Sequence, residues 1–158
     1  MIRTILLGLG GTPFTDVAIE RAVELARQHK AIITGVTVVN PSSYANVGPV
    51  PVGGGAYAKR MRDHRREETE AAVAKATDTF LARCRTGGIP ARVEKEQGDP
   101  FSLMAQRARF SDVTIFGLRS LFDYGITAEP KASLINLVAQ GVRPIIAVSE
   151  RFRPIRKA

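Results

Sequence analysis

The feature that most constrains this chain is its repeated change of hydrophobic period. Short apolar runs rich in β-branched residues alternate with segments whose apolar residues recur every three or four positions. Ile5-Leu6-Leu7-Gly8-Leu9 breaks at Gly10-Gly11-Thr12-Pro13 and reads as a buried strand and a turn. Val17, Ala18, Ala22, Val23, Leu25 and Ala26 follow helical spacing up to about Lys30. Asp16 and Glu20 lie early and His29 and Lys30 late, as the helix dipole favours. Residues 31–39 are continuous rather than alternating, which predicts a strand buried on both faces. A loop over about residues 40–55, with Pro41, Pro49, Pro51 and three consecutive Gly, is longer than most connections.

A long helix is expected over residues 56–85, with Tyr57, Met61, Ala72, Ala76, Phe80 and Cys84 as its apolar stripe. The stripe is thin in the first half, so that half is expected to project from the body. Gly87-Gly88 ends it. Residues 89–96 alternate and read as a strand near a sheet edge. Asp99 is an N-cap and Pro100 the first position of a short helix, with Leu103, Met104 and Ala108 facing inward. Residues 112–117 form a fourth strand, and residues 118–129 a loop. Pro130 opens a last helix with Leu134, Ile135, Leu137 and Val138 apolar, and residues 144–148 form a fifth strand. This order implies an α/β fold: a parallel sheet with right-handed crossovers and helices on both faces. Ligands of such sheets bind beyond the carboxyl ends of the strands, here residues 8–12, 38–41 and 117–120.

With 158 residues the chain reads as a single domain over residues 1–150, followed by a basic tail over residues 151–158. No apolar run approaches the ~20 residues of a membrane span, and the opening residues are too short for a secretory signal. Cys84 is the only cysteine, so intramolecular disulfides are excluded, and a cytoplasmic location is expected. Two His and one Cys show no zinc-ligand spacing. The net charge of +8 attracts polyanions. Aromatics are only 6% and Trp is absent, so few side chains could stack on bases, and nucleic acid is not the expected partner.

Gly8-Leu9-Gly10-Gly11-Thr12-Pro13 begins as a dinucleotide fingerprint does, but Pro13 takes the third glycine position and Asn40, not an acid, ends the second strand. A tight turn that needs small residues explains it better. Neither a Walker phosphate loop nor a G-x-S-x-G nucleophile elbow occurs. His29 ends a helix and His64 lies in an Arg-rich stretch, so both read as solvated histidines. Lys59, Arg60, Arg62, Arg65 and Arg66 are followed by Glu67, Glu68 and Glu70, a pattern suited to i,i+4 pairs on a solvated helix. An anion-binding surface is the sharper reading of the same run. No general base, nucleophile and oxyanion donor converge, so no reaction is assigned.

Several of these stretches resemble the universal stress protein family. Residues 5–12 look like its first strand and turn, and residues 34–41 like its second strand. Gly98-Asp99-Pro100 and Ser111-Asp112-Val113-Thr114-Ile115-Phe116-Gly117 resemble its most recognisable stretch, and residues 144–148 its closing strand. The resemblance implies a five-stranded parallel sheet of order 3-2-1-4-5 and a homodimer, commonly through the edge formed by the fifth strand. Ile145, Ile146 and Val148 form an apolar segment there, and an exposed edge of this kind invites pairing with a second copy.

ATP-binding members of the family carry an Asp at the end of the first strand and G-x2-G-x9-G-[ST] after the fourth. Here Gly10 stands at the acid, Gly117 matches the first glycine, Ser120 takes the second, Pro130 the third and Lys131 the Ser/Thr. Glycines let backbone N–H groups approach phosphate oxygens, and Pro130 has no N–H. The resemblance therefore implies a non-enzymatic, stress-related or regulatory homodimer that acts through an unidentified protein partner and takes no cofactor. The alternative is an atypical nucleotide or anion binder using Gly8, Gly10, Val38, Gly117, Arg119, Ser120 and Lys131. Arg119 and Lys131 would there meet phosphate or carboxylate oxygens.

Overall fold

The computed structural model describes residues 1–40, 53–117, 130–141 and 144–151. Its elements are β1 (Thr4–Gly8), α1 (Pro13–His29), β2 (Ile32–Val39), α2 (Gly55–Thr86), β3 (Ala91–Gln97), α3 (Pro100–Ala108), β4 (Val113–Gly117), α4 (Pro130–Ala139) and β5 (Ile145–Val148). The five strands form one sheet in the order β3-β2-β1-β4-β5, and every neighbouring pair is parallel. This is the α/β architecture expected from the alternation. The projected loop over residues 40–55 lies from 41 to 52 outside the described residues, as do residues 118–129 and the tail beyond Arg151.

Each face of the sheet buries its own core. On one face Ile5, Leu7, Ile33, Val113 and Ile115 meet α1 through Ala18, Ile19, Ala22 and Ala26, and α2 through Ala76, Phe80 and Cys84. On the other, Leu6, Val36, Val38 and Phe116 meet Met104, Ala105 and Ala108 of α3 and Leu137 of α4. Strands buried on both sides need no alternation, which is why β2 reads as a continuous apolar run. Asp99 caps α3 as expected, its carboxylate accepting the Ser102 N–H at 2.8 Å. Burial pushes the Cys84 thiol up to about 11, so it is protonated and unreactive near neutrality.

Two expectations shift. Tyr57 is 64% exposed, and its neighbour Ala58 is buried instead. In α4 Leu137 is buried, but Ile135 and Val138 are 64% and 50% exposed.

At the amino-terminal ends of the strands, Asp112 ties β4 to β1. Its Oδ2 accepts the Arg3 N–H at 2.7 Å, the Thr4 N–H at 2.9 Å and the Thr4 hydroxyl at 3.1 Å. These donors, the Arg3 N–H foremost, hold its carboxyl below the usual carboxylate range. The folded value lies below the unfolded one of about 3.9, so the clamp contributes fully above that pH and is lost as pH falls through the folded value. Wild type is therefore expected to lose more stability than Asp112→Asn between about pH 6 and pH 3 in urea titrations. Equal acid losses would remove Asp112 from this role.

Candidate functional site

The chain leaves β1 for β2 on one side and returns to β4 on the other, so the switch point lies at the carboxyl ends of β1 and β4. Leu7 pairs with Ile115, Gly8 with Val36 and Gly117 with Val148. This register brings Gly8, Gly10, Val38 and Gly117 to one crest. Gly8, Gly10 and Gly117 are buried. Val38 is fully buried in the core against α3, so its side chain presents nothing to a ligand at the crest. Arg119 and Ser120 lie outside the described residues, and Lys131 follows Pro130 in the first turn of α4.

After β1 the chain turns sharply. The Leu9 N–H donates to the Val36 carbonyl at 2.8 Å, and Gly11 adopts φ 69°, which glycine tolerates without strain. The Thr12 N–H donates to Thr15 Oγ1 at 3.1 Å, and the Thr15 N–H to the Thr12 carbonyl at 2.8 Å. These bonds use amides at the start of α1, and Gly10 offers no side chain where an acidic residue would accept donors from a sugar or base.

The described residues line a groove and a smaller crevice. A groove of about 440 Å³ between α1 and α2 is lined by Glu20, Glu24, Arg27 and Arg83 with Val23 and Gln28. Its two acids and two bases favour neither sign of ligand. A crevice of about 70 Å³ lies where Gly11, Thr12, Thr15 and Asp16 face Lys75 and Thr79. It is far below the ~300 Å³ of ordinary small-molecule sites.

His64 pairs with Glu68 at 3.2 Å on the exposed face of α2, and His29 sits in the last turn of α1. No group of three His, Cys, Asp or Glu among the described residues could hold a metal. No helix among them is long and apolar enough to cross a membrane.

The sheet's two edges differ. β3 carries Arg92, Glu94, Lys95 and Glu96, and Arg107 of α3 reaches Glu94 at 3.3 Å and also pairs with Glu96. Glu96 and then Glu94 push the Arg107 guanidinium further toward its charged form. β5 offers Ile145, Ile146 and Ala147, each half-buried, with Val148 buried. Sequence reasoning missed the exposure of Ile135 and Val138 in α4, since spacing alone does not say which apolar residues of a helix lack a neighbour.

Residues 1–114 match the universal stress protein family, and the match stops short of Gly117, Ser120, Pro130 and Lys131. Comparison with curated proteins finds no match. Among solved structures, a universal stress family protein from Burkholderia pseudomallei is 18% identical with a TM-score of 0.55, covering 93% of this chain and 96% of its own. UspA from Lactobacillus plantarum is 18% identical with a TM-score of 0.58, covering 95% and 98%. A universal stress protein in complex with cAMP is 16% identical with a TM-score of 0.57, covering 95% and 98%. At these identities the structures speak for the fold, and the family match over residues 1–114 speaks for descent: the chain belongs to the universal stress protein family.

Proposed function

We propose that this protein is a cytoplasmic, non-enzymatic homodimer that acts in stress response or regulation through contacts with another protein, its nucleotide site being degenerate. The observation that carries the dimer is the contrast between the sheet's edges. The β3 edge is covered with charge, which blocks strand addition. The β5 edge is apolar, and α4 beside it exposes Ile135 and Val138. Two copies related by a two-fold axis would pair β5 with itself antiparallel and cover Ile145 and Ile146.

Light scattering at micromolar concentration is expected to give the mass of two chains, and Ile146→Asp to lower it toward one. Because Ile146 also packs against the core, that variant is expected to be less stable as well. A monomeric wild type would sink the reading.

The second reading is an atypical nucleotide or anion binder at Gly8, Gly10, Gly117, Arg119, Ser120 and Lys131. It draws support from the relative solved with cAMP. Co-purified nucleotide, seen in the ultraviolet spectrum, is its expected sign.

A further inference from the structure

The groove between α1 and α2 carries charge of both signs, and the two signs stand apart. Glu20, Val23, Glu24 and Arg27 recur at intervals of three and four, so they form one stripe along α1. Arg83 faces them from α2. At about 440 Å³ the groove falls within the ~300–1,000 Å³ of small-molecule sites.

α1 leads into β2 and α2 into β3, and Ile33 of β2 pairs with Ala91 of β3, so both helices end at the same pole of the sheet. Arg27 and Arg83 lie in the last turns, where helix ends favour cations. They therefore share the lower end of the groove. Glu20 precedes Arg27 by seven residues on α1, which places it about 10 Å further up at 1.5 Å each. Glu24 lies between and is already engaged, since its Oε2 pairs with the buried Arg21. Among the described residues, no ion pair within 4.0 Å joins Glu20, Arg27 or Arg83 to a group of opposite sign. Val23 packs on the core and puts apolar surface between the two ends.

We propose that this groove binds a small ω-amino acid, an ammonium and a carboxylate joined by a chain of methylenes. The carboxylate sits between Arg27 and Arg83, the chain against Val23 and the ammonium beside Glu20. Guanidinium forks suit a carboxylate, and two from opposite walls fix its place. A simple anion would meet Glu20 and a simple cation the arginines, so a groove that favours neither sign suits a ligand that carries both. The height between its two ends selects against an α-amino acid, whose charges flank a single carbon. No residue of β5 or of the glycine crest lines the groove, so its failure would leave the proposed function standing.

The test is calorimetry of the full chain at neutral pH and about 0.05 M salt, low enough to limit screening. The ligand is 6-aminohexanoate, with hexanoate, hexylamine and glycine as controls. 6-Aminohexanoate is expected to bind with a dissociation constant of about 1 mM or below, and each control at least tenfold more weakly. Glu20→Gln and Arg83→Gln should each weaken it about tenfold, the loss of one charge-assisted contact. Arg85→Gln removes the same charge from α2 outside the groove and should change it less than twofold. All three residues are exposed, and unchanged thermal unfolding checks that the fold is intact. No binding tighter than about 1 mM overturns the proposal. So do equal losses from Arg83→Gln and Arg85→Gln, which would show attraction to net charge alone. Hexanoate as tight as the amino acid would make the groove a plain anion site, hexylamine as tight a plain cation site, and glycine as tight would remove the spacing; each result overturns it.

Discussion

Phe80→Ala is expected to lower the folding free energy by about 3–5 kcal/mol, at least about a fifth of the ~5–15 kcal/mol that a domain commonly has. The ring is fully buried between α2 and the sheet, in the core that also holds Leu7, Leu9 and Ile33. Gly35 makes room for it: a Cβ there would lie 2.8 Å from Phe80 Cε1 and 2.9 Å from Leu9 Cδ1. Gly35→Ala should therefore cost about 1–3 kcal/mol by overpacking. The two changes should couple, because shortening the ring vacates the volume that the new methyl needs. In a double-mutant cycle Gly35→Ala is expected to cost clearly less in a Phe80→Leu background than in wild type. Urea titration measures each step. A loss below about 1 kcal/mol for Phe80→Ala, or strict additivity, would contradict this packing.

Much of that architecture is legible in the residues themselves. Parallel strands covered on both faces read as unbroken apolar runs, so β2 and β4 stand out, and Asp99-Pro100 marks the start of α3 without help from tertiary contacts. What hides is whatever depends on distant partners. Ala76, Phe80 and Cys84 form the stripe of α2 as their spacing predicts, but it also takes in Ala58, Thr69 and Thr77, which are buried yet small or polar, while the larger Tyr57 is exposed. Hydrophobic periodicity does not register such residues. The Asp112 clamp joins positions 108 and 109 residues apart, and nothing local in β1 announces it. At the crest, the glycines Gly8, Gly10 and Gly117 come together as the strand order implies. The side chain of Val38 is turned by strand alternation into the α3 core.

Restoring the family's motif should have the largest effect on ligand binding. Gly10→Asp supplies an acceptor at the end of β1, and Pro130→Gly returns a backbone N–H to the start of α4. Ser120→Gly and Lys131→Ser return the small residues that the family's ATP-binding motif carries at these positions. Each recovered contact is worth about 1–3 kcal/mol, and each ~1.4 kcal/mol is tenfold. Two recovered contacts therefore raise ATP affinity by roughly a hundredfold. Arg119 and Lys131 work in the opposite sense in the wild type, since cations there attract phosphate, but isolated pairs in water return only about 0–1 kcal/mol each. Lost backbone contacts outweigh them. Calorimetry of the fourfold variant with ATP and magnesium checks the gain. Affinity unchanged from wild type would mean that these positions do not limit binding.

On the proposed function, this universal stress protein does not work through a triphosphate held by a glycine loop. Titrating the wild-type protein with ATP and magnesium tests it most directly, because magnesium-bound ATP is the form such a loop would hold and the metal offsets much of the attraction to loose surface cations. The expected result is no binding tighter than about 1 mM; a dissociation constant in the low micromolar range would contradict the account.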